Sequence, residues 1–110
     1  MSPEAKAPML RGTLDLLILK TLDVEPRHGV GVADRIAQVT KRQFAIGPGS
    51  LFPALHRLEQ RGLIRGEWQE TPEGRRAKVY TLTAQGRRQL RRERDQWQRI
   101  VSAMTDVLQS

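Results

Sequence analysis

Apolar positions along this chain follow a helical rhythm, switch once to a two-residue rhythm, and then return to a helical one. Leu14, Leu17, Ile18 and Leu22 recur on one helix face, widened by Leu16 and Leu19. They predict a helix over about 14–23 with Thr13 as its cap. So wide an apolar surface implies burial on more than one side, a second subunit being one candidate side. Pro26 marks residues 24–29 as a loop. A second helix follows over about 30–40, with Val32 or Ala33, Ile36 and Val39 inward and Arg35, Gln38 and Lys41 outward. Phe44 and Ile46 then alternate with other residues across 41–46, which predicts a short strand.

The stretch 47–62, GPGSLFPALHRLEQRG, carries the sharpest pattern. Gly47-Pro48-Gly49 breaks the preceding element, Ser50 is placed to cap a helix, and Pro53 falls in its first turn. Leu51, Ala54, Leu55 and Leu58 form one apolar stripe, and Gly62 ends the helix in the left-handed conformation. The opposite face presents Ser50, Pro53, Arg57, Gln60 and Arg61, with His56 at its edge. An apolar back and a hydrogen-bonding, basic front suit a helix that reads a DNA major groove. Any amphipathic surface helix has a polar front, so the flanking elements decide.

After Gly62 the period becomes two. Residues 63–69, LIRGEWQ, and 77–82, AKVYTL, read as paired strands joined by ETPEGRR at 70–76. The hairpin tip carries Arg75 and Arg76, with Lys78 just inside and Trp68 read as a packing residue. Helix, helix, short strand, helix and basic-tipped hairpin, in that order, give a winged helix-turn-helix. The fold expected is mainly α with a small β wing, and the wing arginines are expected on phosphates or in the minor groove. Thr83 then caps a last helix running to about Leu108. Its start is dense in arginine, and Arg87 and Arg88 are candidates for further phosphate contacts. Its second half carries Trp97, Ile100, Val101, Met104 and Leu108 on one stripe, widened by Val107. A domain this small cannot easily bury such a stripe within itself. A second copy of the chain covers it most economically, and packing on the first helix of the same subunit is compatible with that.

The chain divides accordingly into a flexible tail at 1–9, a winged helix-turn-helix at 10–82 and a dimerisation helix at 83–110. At 110 residues there is room for one modest core. Net charge is +7, and it is unevenly placed: residues 41–94 hold thirteen Lys/Arg against five Asp/Glu, whereas residues 1–40 balance. A basic excess clustered on the candidate reading elements is the footprint of phosphate binding. Fifteen of the nineteen bases are arginine, which favours phosphate contacts over solvation alone. There is no cysteine, no signal-peptide pattern and no apolar run long enough for a membrane span, which fits a reducing cytoplasm. Two distant histidines, and no HxxxH, CxxC, nucleophile elbow or Walker loop, leave neither a metal site nor an enzyme reading; no cofactor is expected.

Four segments together resemble the PadR-like winged-helix transcriptional regulators, specifically the short subfamily with one C-terminal helix. They are RGTLDLLILKTL at 11–22, HGVGVADRI at 28–36, GSLFPALHRLEQRGLI at 49–64 and RRAKVYTLTAQGRRQL at 75–90. The family's usual tyrosines are replaced by Val30 and Phe52, each losing a phenolic hydroxyl. The resemblance implies a sequence-specific, DNA-binding repressor. It further implies a homodimer joined by the last helix together with the first, hence through Leu14, Leu17 and the stripe from Trp97 to Leu108. It also implies release from a pseudo-palindromic operator by a small hydrophobic or aromatic effector. Trp97 is then an interface anchor or lines the effector site. The expected DNA contacts are Ser50, Pro53, His56, Arg57 and Arg61 on the helix, with Arg75, Arg76 and Lys78 on the wing. Two other readings share the pattern: a sequence-nonspecific architectural nucleic-acid binder, and a winged-helix protein-interaction module.

Overall fold

The computed structural model describes residues 11–110; the tail expected at 1–9 lies outside the described residues. Helix α1 spans Arg11–Val24, strand β1 Arg27–His28, α2 Gly29–Val39, α3 Pro48–Gln60, β2 Ile64–Glu70, β3 Arg76–Leu82 and α4 Ala84–Gln109. The sheet order is β1-β3-β2, antiparallel throughout. Three helices pack on this small sheet, and α4 runs on past the body, giving a longest extent of 57 Å.

The core is built where the helical stripes and the sheet's inner face meet. Leu14, Ile18, Leu19 and Leu22 of α1 are buried with Val32 and Ile36 of α2, Leu51, Ala54, Leu55 and Leu58 of α3, and Leu63, Ile64, Tyr80, Leu82 and Leu90. Leu16, Leu17, Ala33, Phe44 and Ile46 pack against this cluster from its margin. Transfer of that apolar surface from water drives the fold. Among the described residues no helix is long and apolar enough to cross a membrane.

Several boundaries differ from the sequence reading. Helix α1 already includes Arg11 and Gly12, so Thr13 lies inside it rather than ahead of its first turn. The loop at 24–29 contains β1: Arg27 pairs with Tyr80 and His28 with Val79, a two-residue strand that exists only because β3 offers a free edge. The strand expected at 41–46 is absent. Helix α2 ends at Thr40, whose Oγ1 donates to Ile36 O and accepts from Phe44 N. Lys41 and Arg42 then take left-handed backbone at φ 52° and 66°. Phe44 and Ile46 alternate because each reaches the core singly, not because the backbone is paired. Val39, expected inward, is exposed where α2 outruns the core.

The junction into α4 is tightly specified. Gly62 takes φ +73° and closes α3. Thr83 Oγ1 accepts from Gly86 N as the helix cap and reaches back to the carbonyls of Gly62 and Leu63. A side chain at Gly86 would run into the carbonyl oxygen of Leu63 and the Leu82 Cδ1, so only glycine lets α4 start this close to β2.

Candidate nucleic-acid interface

Helix α3 begins three residues earlier than its sequence signals suggest. Gly47 is the N-cap in extended backbone and Pro48 occupies N1, where its missing N–H costs nothing. Ser50 therefore sits within the first turn and makes no side-chain cap. Pro53 falls in the second turn rather than the first, and its lack of an N–H leaves the Gly49 carbonyl without its usual partner in the helix. The apolar back is as the stripe required: Leu51, Ala54, Leu55 and Leu58 are essentially inaccessible.

The front is narrower than its sequence implied. Pro53, His56, Gln60 and Arg61 are exposed and Ser50 is half-buried. Phe52 is also exposed in part, lying over Gly29 at the start of α2. Arg57 turns the other way: its Nη2 stands 3.2 Å from Oδ1 of Asp15, a side chain only 7% exposed on α1. Its Nε is buried and has no acceptor among the described residues. Arg57 thus ties α3 to α1, and this pairing competes with the DNA contact the sequence suggested for it. It follows Ala54 by three positions and so stands beside the apolar stripe. The signal for its partner was Asp15 itself, an acid inside an apolar run.

The wing is formed by β2 and β3, in register from Ile64 opposite Leu82 to Glu70 opposite Arg76. Its turn is closed by Thr71 N to Arg75 O and by Arg75 N to Thr71 Oγ1. Arg75 and Arg76 are exposed at or beside the tip, as expected. Lys78, expected with them on DNA, is turned towards α3. Its Nζ donates to Glu59 Oε1 on α3 at 3.1 Å and lies 5.5 Å from the centre of the Tyr80 ring. The hydrogen bond to Glu59 chiefly holds its ammonium pKa above the usual lysine value, and burial chiefly raises that of Tyr80. Lys78 and Glu59 brace the wing against the end of α3; Glu59 carried no sequence signal for this. Trp68, read as a packing residue, is instead 59% exposed with the Arg76 guanidinium 5.4 Å from its ring centre. Arg87 pairs with Asp23 of α1 at 3.3 Å while its side chain stays 53% exposed, and Arg88 beside it is exposed as well.

Away from these elements, Trp97, Ile100, Val101, Met104, Val107 and Leu108 are 44–79% exposed along α4. Leu14, assigned by the sequence to a subunit interface, packs in the core of its own subunit at 7% exposure, and Leu17 is partly covered. A groove of about 280 Å³ runs between α1 and α4, lined by Gly12, Thr13, Leu16, Glu93, Gln96, Trp97 and Ile100. Glu93 Oε2 is buried beside it with no hydrogen-bond partner among the described residues.

Comparison with known proteins places this architecture. The model of the family described as "Transcriptional regulator PadR-like family" matches residues 18–92. A transcriptional regulator of Mycobacterium tuberculosis is 39% identical over 57 residues, 52% of each chain. A PadR family transcriptional regulator from Eggerthella lenta superposes with a TM-score of 0.79 at 31% identity, over 91% of this chain and 85% of that one. A PadR-like transcriptional regulator from Bacillus cereus gives 0.80 at 25% identity, over 93% and 97%.

Proposed function

This chain belongs to the PadR-like family of transcriptional regulators, and from that premise we propose that it is a cytoplasmic homodimeric repressor released from its operator by a small hydrophobic or aromatic effector. Membership makes it a regulator of transcription that acts through DNA, and not an enzyme. The observation that carries the reading is the pairing of two elements. Helix α3 keeps Pro53, His56, Gln60 and Arg61 exposed over a filled apolar back. A wing tipped by Arg75 and Arg76 is braced to its end through Glu59 and Lys78.

In this mechanism α3 enters a major groove and the wing reaches the adjacent minor groove. Ser50, Pro53, His56 and Arg61 meet base edges or the flanking backbone. Arg75, Arg76 and Arg88 neutralise phosphates. The apolar face of α4 from Trp97 to Leu108 joins two copies, so that two α3 helices read half-sites about one or two helical turns apart. The α1–α4 groove beside Trp97 is where such an effector fits: Leu16, Trp97 and Ile100 give it an apolar wall, and the Glu93 Oε2, without a partner among the described residues, can accept from a polar group on it.

The test is selection from a random double-stranded DNA pool, followed by titration of the best site against a scrambled one. An enriched palindrome bound about 1,000-fold tighter than the scramble supports the repressor reading. Tight binding without enrichment overturns it in favour of an architectural binder. No binding to any duplex points to a protein-interaction module.

A further inference from the structure

We propose that Trp68 and Arg76 together grip the sugar–phosphate strand running between the two grooves, the indole against deoxyribose and the guanidinium on a phosphate. The inference rests on the DNA-binding reading above and adds a contact residue of a different kind, an uncharged ring on the wing.

Alternation fixes where Trp68 stands. Ile64, Gly66 and Trp68 share one face of β2, and Ile64 is buried in the core, so this is the inner face of the wing. The residue directly across from Trp68 is Lys78, which reaches Glu59 on α3. Trp68 therefore lies on the side of the wing turned towards α3, not on its outer surface. Tyr80, one pair nearer the core on the same face, is 7% exposed, while Trp68 is 59% exposed. The core ends between those two pairs, and an indole stands just beyond its edge. As a packing residue it is misplaced, because most of its apolar surface remains in water.

Arg76 has a choice of partners. Its neighbour across the ladder is Glu70, yet no ion pair joins them among the described residues; the guanidinium lies over the Trp68 ring instead. Stacking on the ring orients the fork while leaving its N–H donors free for an anion. In a duplex, a helix in one major groove and a hairpin at the adjoining minor groove straddle one backbone strand. The surface between them meets alternating sugars and phosphates. A ring with an apolar face beside a guanidinium with free donors matches that alternation.

The test titrates the full chain and its variants against a fluorescein-labelled random-sequence duplex of about 30 bp at several salt concentrations, read by anisotropy. Trp68→Ala is expected to weaken binding about tenfold at every salt, with an unchanged salt slope because the lost contact carries no charge. Arg76→Ala is expected to lower that slope by about one. The wild-type tryptophan emission should be quenched at saturation, and Trp68→Phe should abolish that quench while retaining most of the affinity. Trp68→Ala binding within about twofold of wild type overturns the proposal, as does an equal quench in Trp68→Phe; both leave the DNA-binding reading intact. A wild-type chain that binds neither this duplex at the lowest salt nor any duplex selected from the random pool removes both readings together.

Discussion

Arg57 is the position where a stability experiment and a DNA-binding experiment give opposite answers to two structural claims. Replacing it with alanine leaves the Asp15 carboxylate, only 7% exposed on α1, without its cationic partner. Removing one member of a buried ion pair costs about 3–5 kcal/mol. The Arg57 side chain is itself 30% exposed, so water enters the vacated space and screens part of the loss. A penalty of about 2–3 kcal/mol is therefore expected for Arg57→Ala. Urea unfolding followed by circular dichroism should show a midpoint lowered by about 1–2 M at unchanged slope. Protein concentration is held fixed, because self-association also moves the midpoint. The double variant Asp15→Leu with Arg57→Met should recover to within about 1 kcal/mol of the original chain, since an apolar pair of similar volume removes both charges at once. If Arg57→Ala keeps its midpoint but loses operator affinity, Arg57 faces DNA and the α1–α3 tie is not a feature of the protein.

Gly86→Ala places a Cβ against the Leu63 carbonyl and the Leu82 side chain. A loss of about 3 kcal/mol is expected, lowering the thermal midpoint by on the order of 10 °C; an unchanged midpoint means the β2–α4 junction opens freely. At high pH, Lys78 and Tyr80 act in the same direction. Glu59 raises the folded Lys78 pKa above 10.5 and burial raises that of Tyr80 above 10.0. Each contributes stability below its unfolded value and loses it as the pH climbs through the folded one. Melting temperature should fall from about pH 10 upward, with a shallower fall in Lys78→Met and in Tyr80→Phe. Equal slopes in all three chains would sink the brace. Trp97→Ala should raise the dimer dissociation constant in sedimentation equilibrium, and a variant still fully dimeric at low micromolar concentration would show that the α4 overhang is not anchored there.

Elements defined by local periodicity were legible in the sequence, and elements defined by a distant partner were not. The stripe of α3 and the Thr83 cap follow from residues within one or two turns of each other, and the hairpin from Ile64 to Leu82 from two alternating runs about one short turn. Strand β1 has two residues and no pattern of its own; it exists because the β3 edge lies beside it. Position 57 looks polar and outward on a helical wheel, and only the packing of α1, 42 residues earlier, turns it inward. The start of α3 slipped because Ser50 and Pro48 are both good start signals, and backbone geometry chose the proline. Exposure at the wing was equally hidden, since alternation gives the face of Trp68 but not where the core beneath it stops.

The way α4 leaves the body has a mechanical meaning. Its first turn is pinned to β2 by Thr83 and by the bare backbone of Gly86, while its far end stands clear. It is a rigid lever with a fixed fulcrum, about 39 Å long for its 26 residues. For two such levers joined along their free lengths, a tilt of about 5° at the joint moves the far body by about 3.4 Å, one base-pair step. In the proposed dimer, the distance between half-sites is then written in the angle of this joint rather than in α3. That dimer is expected to reach operators of different spacing through substitutions around residues 97–108, with the proposed DNA-facing side chains left untouched.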